Sequence, residues 1–547
     1  MPGPTNGATQ QGEKSARTDQ PVPAYSWYAL SVLVLVYVLN FVDRQILSIL
    51  ANDIKADLGV DDGYLGFLYG TAFAIFYALF GIPLGKLADS WKRVRLMTIG
   101  LAVWSAMTAI SGFARNAAEL TVARIGVGVG EATASPSAYS LISDWFPSRL
   151  RATALAIYSS GIYIGGGISL AIGGLVVENW NDAFPDGGPL GLAGWQAAFI
   201  AVGVPGLLLA IWVATLREPV RGAIDGMPTP EDPHPFRGFV QELFTVIPPF
   251  TFFGAAARGV GALAINVAMF AGAFAVAYLL TITLESGAGN IIPAITDQWT
   301  LIAIGYYAVF CFATSLRARD YPTFALTWGS PAFLCTILGY GTVAFMAYSM
   351  SYWGAPYAER TFDVSKSELG FLLGGGGAAG GFLGVILGGR MADYLFERML
   401  SGRIWVILFG LLAPIPFAVV QYTTDSWALF IVLNIVTGAL AASALGAAAA
   451  SSQALVLPRM RGLATATFFL ATTLVGLALG PYMAGYVSAL NDGDLGVGVL
   501  STLAIVPVGM VLLVAAIKLV PKALTSVTDR AVAAGESAGT MRDPAVT

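Results

Sequence analysis

Gly85-Lys86-Leu87-Ala88-Asp89 and Gly389-Arg390-Met391-Ala392-Asp393 are two versions of one short loop, and each follows a long apolar run. A second pair of echoes lies downstream of each. Pro147-Ser148-Arg149-Leu150-Arg151 follows the first, and Pro458-Arg459-Met460-Arg461-Gly462 follows the second, at nearly the same offset. The chain therefore reads as two related halves. Two such halves facing each other, with a site near the midplane between them, is the architecture of an alternating-access carrier.

The composition agrees. Of 547 residues, 56% are hydrophobic and only 11% charged, against about 25% charged in soluble globular chains. So few charges cannot cover a water-facing surface, which excludes a soluble globule. The net charge of -4 is small and the basic residues are scattered, which excludes nucleic-acid binding. Cys311 and Cys335 both lie in apolar stretches, and the single histidine, His234, sits in a polar linker. No disulfide framework, metal site or cofactor is expected, and neither is an enzyme, since no nucleophile or metal constellation lies in any span. Proton chemistry inside the membrane must use carboxylates.

The fold class expected is all-α and integral to the membrane: two six-helix bundles with two extra transmembrane helices between them, fourteen spans in all. Apolar runs fall near 27–50, 64–86, 95–113, 118–142, 152–176 and 195–216. The extra pair is near 259–284 and 298–316, and the later six are near 331–353, 368–390, 404–421, 427–449, 460–489 and 496–519. The divisions are a disordered tail over 1–24, a first bundle over 25–219, and a linker with an interfacial helix and the extra pair over 220–330. A second bundle over 331–521 and a disordered tail over 522–547 complete them. With the N-terminus inside, the inner loops carry most Lys and Arg, and the outer loops hold only Lys55, Arg115, Arg360 and Lys366. This places both termini in the cytoplasm of a multi-pass protein of the cell (inner) membrane.

Ionisable residues deep in a span are costly and usually functional. Asp43 and Arg44 in span one, and Arg124 and Glu131 in span four, are the deep charges of the first half. Asn40, Asp43 and Arg44 share one helix face, as do Arg124 and Glu131. Gly128, between the last two, lets another helix come close. Asp43 or Glu131 is the expected proton carrier, with Arg44 and Arg124 as partners or as binders of an anionic headgroup. A static salt-bridge network is the alternative. Tyr37, Asn40, Arg44, Tyr158, Tyr163 and Phe468 are the candidate substrate contacts. The later half offers no comparable deep charge. Gly165 to Gly167 and Gly374 to Gly377 lie inside apolar spans and are expected to be close helix contacts or bending points.

The Gly-x-Leu-Ala-Asp loop followed by Arg93 and Arg95, the span-four run from Arg124 to Glu131, and Gly480-Pro481 with Gly485 resemble motifs of the major facilitator superfamily. Lys92 stands where the loop of that family usually has Gly. Asn40-Phe41-Val42-Asp43-Arg44, Gly128-Val129-Gly130-Glu131-Ala132 and Gly194-Trp195-Gln196 leading to Glu218-Pro219 look most like its spinster branch. That resemblance implies a proton-coupled carrier of lysophospholipid- or sphingoid-like lipids. Proton-coupled symporters of small organic anions share some of the same pieces and are the alternative. It also implies a conformational latch of Gly85, Asp89, Arg93, Arg95 and Asp393 at the mouth of the bundles. The partners expected are an amphipathic substrate, protons and membrane lipids, with the protein working as a monomer.

Overall fold

The computed structural model describes residues 22–185, 187–225, 232–284 and 297–536, and among them every regular element is helical. Thirteen helices among the described residues are long and apolar enough to cross a membrane. The expected fourth span is not one of the thirteen. It is two helices, Ala117–Glu131 and Ala134–Trp145, and it carries Glu119, Arg124, Glu131 and Asp144. Its two pieces have 15 and 12 residues. At 1.5 Å per residue they reach about 40 Å, enough for a hydrocarbon layer of about 30 Å. With this span the count is fourteen, arranged as six, two and six.

With fourteen crossings, the described chain begins and ends, at residues 22 and 536, on one face, the tail face; the opposite one is the far face. Core spans one to six are Ala24–Leu58, Asp62–Ser90, Arg93–Ser111, Ala117–Trp145, Ser148–Ala183 and Gly194–Ala214. The extra spans are Val260–Thr283 and Gln298–Arg319. Core spans seven to twelve are Pro331–Thr361, Lys366–Arg398, Gly402–Gln421, Trp427–Ala454, Pro458–Leu490 and Leu495–Thr525. Side-chain caps set many starts: Asp61, Asn116, Ser330, Ser365 and Asp494 each accept from the backbone N–H three residues on.

The segment expected as one interfacial helix is two, Pro235–Val246 and Phe250–Ala257, meeting at 95°. Phe236, Val240 and Phe244 recur every four residues and are all exposed. That stripe suits a helix lying in the interface. The C-terminal expectation needs correction. Instead of a disordered tail from residue 522, the chain is helical to Thr525 and again over Val527–Ala533. Ala531 is fully buried and Glu536 is ion-paired to Arg459, contacts that a composition argument cannot register. Residues 537–547, the tail before residue 22 and the loop 285–296 lie outside the described residues.

The halves meet where spans five and eight, two and eleven, and one and seven pack together. Glycine allows the closest approach. A Cβ on Gly167 would stand 2.6 Å from the carbonyl oxygen of Gly374, and one on Gly374 would stand 2.3 Å from that of Gly167. Of the two glycine runs these two cross the seam. A Cβ on Gly165 would meet the carbonyl oxygen of Val38 in span one at 2.4 Å and one on Gly376 would meet Ile435 at 2.9 Å, whereas Gly166, Gly375 and Gly377 have nothing within 4 Å.

Candidate functional site

The helical period of span one puts Asn40, Asp43 and Arg44 on one side, and that of span four puts Arg124 and Glu131 on another. The fold brings the two sides together. Arg44 donates to Glu131 at 2.7 Å, and the Glu131 carboxylate is fully buried. Gly128 lets span two in, since a Cβ there would meet the carbonyl oxygen of Phe73 at 2.7 Å. The Phe73 ring then lies 4.4 Å from the Arg44 guanidinium, with Phe41 at 4.9 Å and Tyr77 at 5.4 Å. Three ring faces and one carboxylate hold that cation in place of water. Asn40, 3% exposed, stands beside Glu131.

The second pair is different. Arg124 donates to the backbone carbonyl of Asp43 at 3.1 Å, not to its carboxylate. Asp43 is 1% exposed and its Oδ1 has no hydrogen-bond partner; neither do Nε and Nη2 of Arg124. Trp104 and Thr108 of span three face the Asp43 carboxyl. A buried polar group left unpaired costs about 1–3 kcal/mol, and more if charged. The four-residue cluster therefore contains one ion pair, Arg44 with Glu131, in which Nε of Arg44 and Oε1 of Glu131 have no partner, and a second carboxylate, that of Asp43, which no arginine reaches at contact distance.

The other candidate contacts fall into three places. Tyr37 and Tyr158 stack with ring centroids 4.3 Å apart inside the first half. Tyr163 reaches across the seam and covers Gly381 of span eight, where a built Cβ would touch its ring. Phe468 is fully buried against Tyr340, 5.1 Å away, within the second half. The structure thus gathers Tyr37, Asn40, Arg44 and Tyr158 in one bundle and leaves Phe468 in the other.

Among the described residues, no hydrogen bond or salt bridge joins Gly85, Asp89, Arg93 or Arg95 to the opposite bundle. Arg93 is held by Asp144, by Glu218 at 2.8 Å and by the carbonyl of Pro219 at 2.8 Å, all in or just after the first half. Asp89 and Arg95 are exposed, and Asp393 pairs with Arg403 of its own half at 3.3 Å.

Sequence reasoning missed the far face. Asp62, whose side chain is fully buried, accepts from Lys55 at 2.8 Å, from Arg360 at 2.7 and 2.8 Å, and from Ser488 at 2.8 Å. Arg360 also donates to Asn52 at 2.8 Å, Lys366 pairs with Asp53, and Glu178 accepts from the backbone of Ser367 at 2.9 Å. Spans one, two and five are thereby bound to spans seven, eight and eleven. The signal was present: three of the four basic residues that broke the outer-loop charge bias are the ones used here.

The chain matches the model of the Major Facilitator Superfamily over residues 33–359. It is 26% identical over 513 residues to an MFS-type efflux pump of Mycolicibacterium smegmatis, covering 94% of this chain and 95% of that one. It is 27% identical over 200 residues to Protein spinster of Drosophila melanogaster, covering 37% of this chain and 31% of that one. A probable galactarate/D-glucarate transporter of Bacillus subtilis is 30% identical over 200 residues, covering 35% and 41%. Among solved structures, a bacterial homologue of the human lysosomal transporter spinster, inward-facing and unoccupied, superposes with a TM-score of 0.62 at 25% identity. That superposition covers 94% of this chain and 96% of that one. The chain is a transporter with the alternating-access fold: it belongs to the Major Facilitator Superfamily, on its spinster branch.

Proposed function

We propose that the protein is a proton-coupled secondary carrier that moves an amphipathic, lysophospholipid- or sphingoid-like molecule. The observation that supports this best is the buried cluster of Asp43, Arg44, Arg124 and Glu131, with one carboxylate ion-paired and the other not. Glu131 stays charged beside Arg44. Asp43 carries the proton, because a charge there has no counter-ion at contact distance. When the bundles rock, Arg124 turns from the Asp43 backbone to its carboxylate and the proton leaves. Arg44, ringed by Phe41, Phe73 and Tyr77, sits where an anionic headgroup can compete for it, and Tyr37, Asn40, Tyr158, Tyr163 and Phe468 border the path of the tail. Gly85, Asp89, Arg93, Arg95 and Asp393 form the latch of the alternate state, in which the tail face is shut. By the bias of basic residues, both chain ends lie in the cytoplasm of a cell-membrane protein that works as a monomer.

The second reading, a proton symporter of small organic anions, is supported by the sugar-acid transporters among the relatives. The second bundle argues against it. Its interior polar contacts are neutral, such as Gln421 with Thr437 at 2.9 Å and Gln453 with Thr465 at 3.0 Å. A thermal-shift screen of lysophospholipids against short dicarboxylates separates the two, since only a true ligand raises Tm with concentration. In proteoliposomes, Asp43→Asn should abolish flux driven by a pH gradient while leaving ligand-induced stabilisation. Unchanged pH-driven flux in both Asp43→Asn and Glu131→Gln would remove proton coupling from the proposal.

A further inference from the structure

The extra pair is not spread evenly around the bundles. The second extra span, Gln298–Arg319, packs against span two and span eleven together. A Cβ on Gly305 would stand 2.6 Å from Ile75 of span two and 3.3 Å from Leu474 of span eleven. The space left where Ile82, Val246, Val309 and Leu470 meet is about 10 Å³, too small for an acyl chain. The pair is tied down by polar bonds in an apolar setting. Thr251 of the interfacial segment bonds Tyr307 at 2.7 Å, and Tyr307 donates to Asn266 at 2.5 Å. Asn266 donates in turn to Cys311 at 3.3 Å, and Arg319 binds Glu242 of the interfacial helix at 2.6 and 3.2 Å.

Among the described residues, neither the extra pair nor the interfacial helices pack over the opposite seam, between spans five and eight. Span five breaks at Ser160. Its far part, Gly161–Ala183, packs on span eight, whereas its tail-face part, Ser148–Ser159, packs on span one and Ala134–Trp145 instead. Tyr163 against Gly381 is the glycine contact between spans five and eight that lies nearest the tail face. Below it Gly384 and Gly388 of span eight face Ala439 and Ser443 of its own bundle, and Leu383 and Leu387 are exposed.

We propose that the extra pair and its interfacial helix are a seam cover. They close the gap between spans two and eleven to the leaflet on the tail face, so that a lipid tail gains lateral access only between spans five and eight. The proposal rests on the carrier reading above, but its test measures lipid access and not flux, so either can fail alone.

The test uses the intact protein in liposomes containing phosphatidylcholine with a photoactivatable diazirine at mid-chain, and adducts are located by mass spectrometry. Adducts are expected at Tyr163 and at least several-fold fewer at Ile82 and Leu470. In the double variant Tyr307→Phe, Arg319→Gln, adducts at Ile82 and Leu470 should rise several-fold while those at Tyr163 stay constant. The proposal is overturned by equal labelling of the two seams in the unmodified protein, by no adduct at Tyr163, or by a double variant that remains folded in thermal unfolding and shows no rise.

Discussion

The two ends of the bundle interface use the same ion-pair chemistry for opposite purposes. At the far face Asp62, held by Lys55 of its own half, takes Arg360 and Ser488 from the other, so these last two bonds cross from one half to the other. At the tail face Arg93 holds Glu218, Arg151 holds Asp225 at 3.0 Å, and Arg459 holds Asp320 at 2.9 Å and also Glu536. These pairs bind each half to its own flanking linker or tail. The contrast teaches that a salt bridge holds the two halves together at one face only when its partners come from both halves. The far face is closed in this structure, and its closure is a set of bonds that can be removed singly.

The contrast can be broken most strongly at Arg360. Removing one partner of a buried ion pair costs about 3–5 kcal/mol. Arg360 is one quarter exposed, so the cost here falls toward or below the low end. Even about 1.4 kcal/mol shifts a two-state population tenfold. Arg360→Ala should therefore raise thiol labelling of a Ser48→Cys reporter about tenfold or more, since Ser48 is buried against the carbonyl of Tyr352 in the closed state. Unchanged labelling would mean that the glycine contacts alone close the far face.

A smaller effect is expected where those glycines meet. Gly374→Ala places a methyl against the backbone of Gly167 and should cost the closed state about 1–3 kcal/mol by overpacking, with labelling of Ser48→Cys rising accordingly. Gly375→Ala, with nothing within 4 Å of its Cβ, should leave labelling unchanged. Equal behaviour of the two variants would show that the seam is looser than the glycine packing implies.

Arg93→Ala sharpens the comparison from the other end. It should lower Tm clearly, because the Asp144 carboxylate it leaves behind is buried, and it should not raise far-face labelling, since the proposed latch it belongs to supports the alternate state. A rise in labelling would join the two ends into one device.

The least effect is expected from pH at the tail strap. Burial by itself raises the Asp320 carboxyl, but hydrogen bonds from Arg459 and Thr323 hold it below the usual carboxylate range. A carboxyl lowered in the folded state contributes stability above its unfolded value, about 3.9, and loses it as pH falls through the folded value. A spin label at Val532→Cys should thus keep constant mobility from neutral pH down to about 5 and loosen only below about 4. Loosening near neutral pH would remove Asp320 from the strap.

Much of this was legible in the chain. The duplicated loops and alternating loop charge yield the six-two-six arrangement, because a span needs only length and apolarity to be recognised. Asp43, Arg44, Arg124 and Glu131 stand out for the same reason: charge in oil is rare. The far-face bonds did not stand out, since Lys55, Arg360 and Lys366 read only as exceptions to the positive-inside rule. The C-terminal helix was missed because its burial depends on Arg459 and the start of the second half, which lie far away in sequence.

By itself the sequence determined which residues share a helix face, since that follows from a period of 3.6 residues and needs no partner. Only the tertiary structure decided that Glu131 receives Arg44 while the Asp43 carboxylate receives no arginine. It also decided that Asp62 bridges the halves and that Arg93 does not. Those choices depend on the approach of spans distant in sequence, governed by glycines such as Gly128 and Gly374. Charge pairing in a low-dielectric interior is settled by a few ångströms of distance that no local pattern encodes.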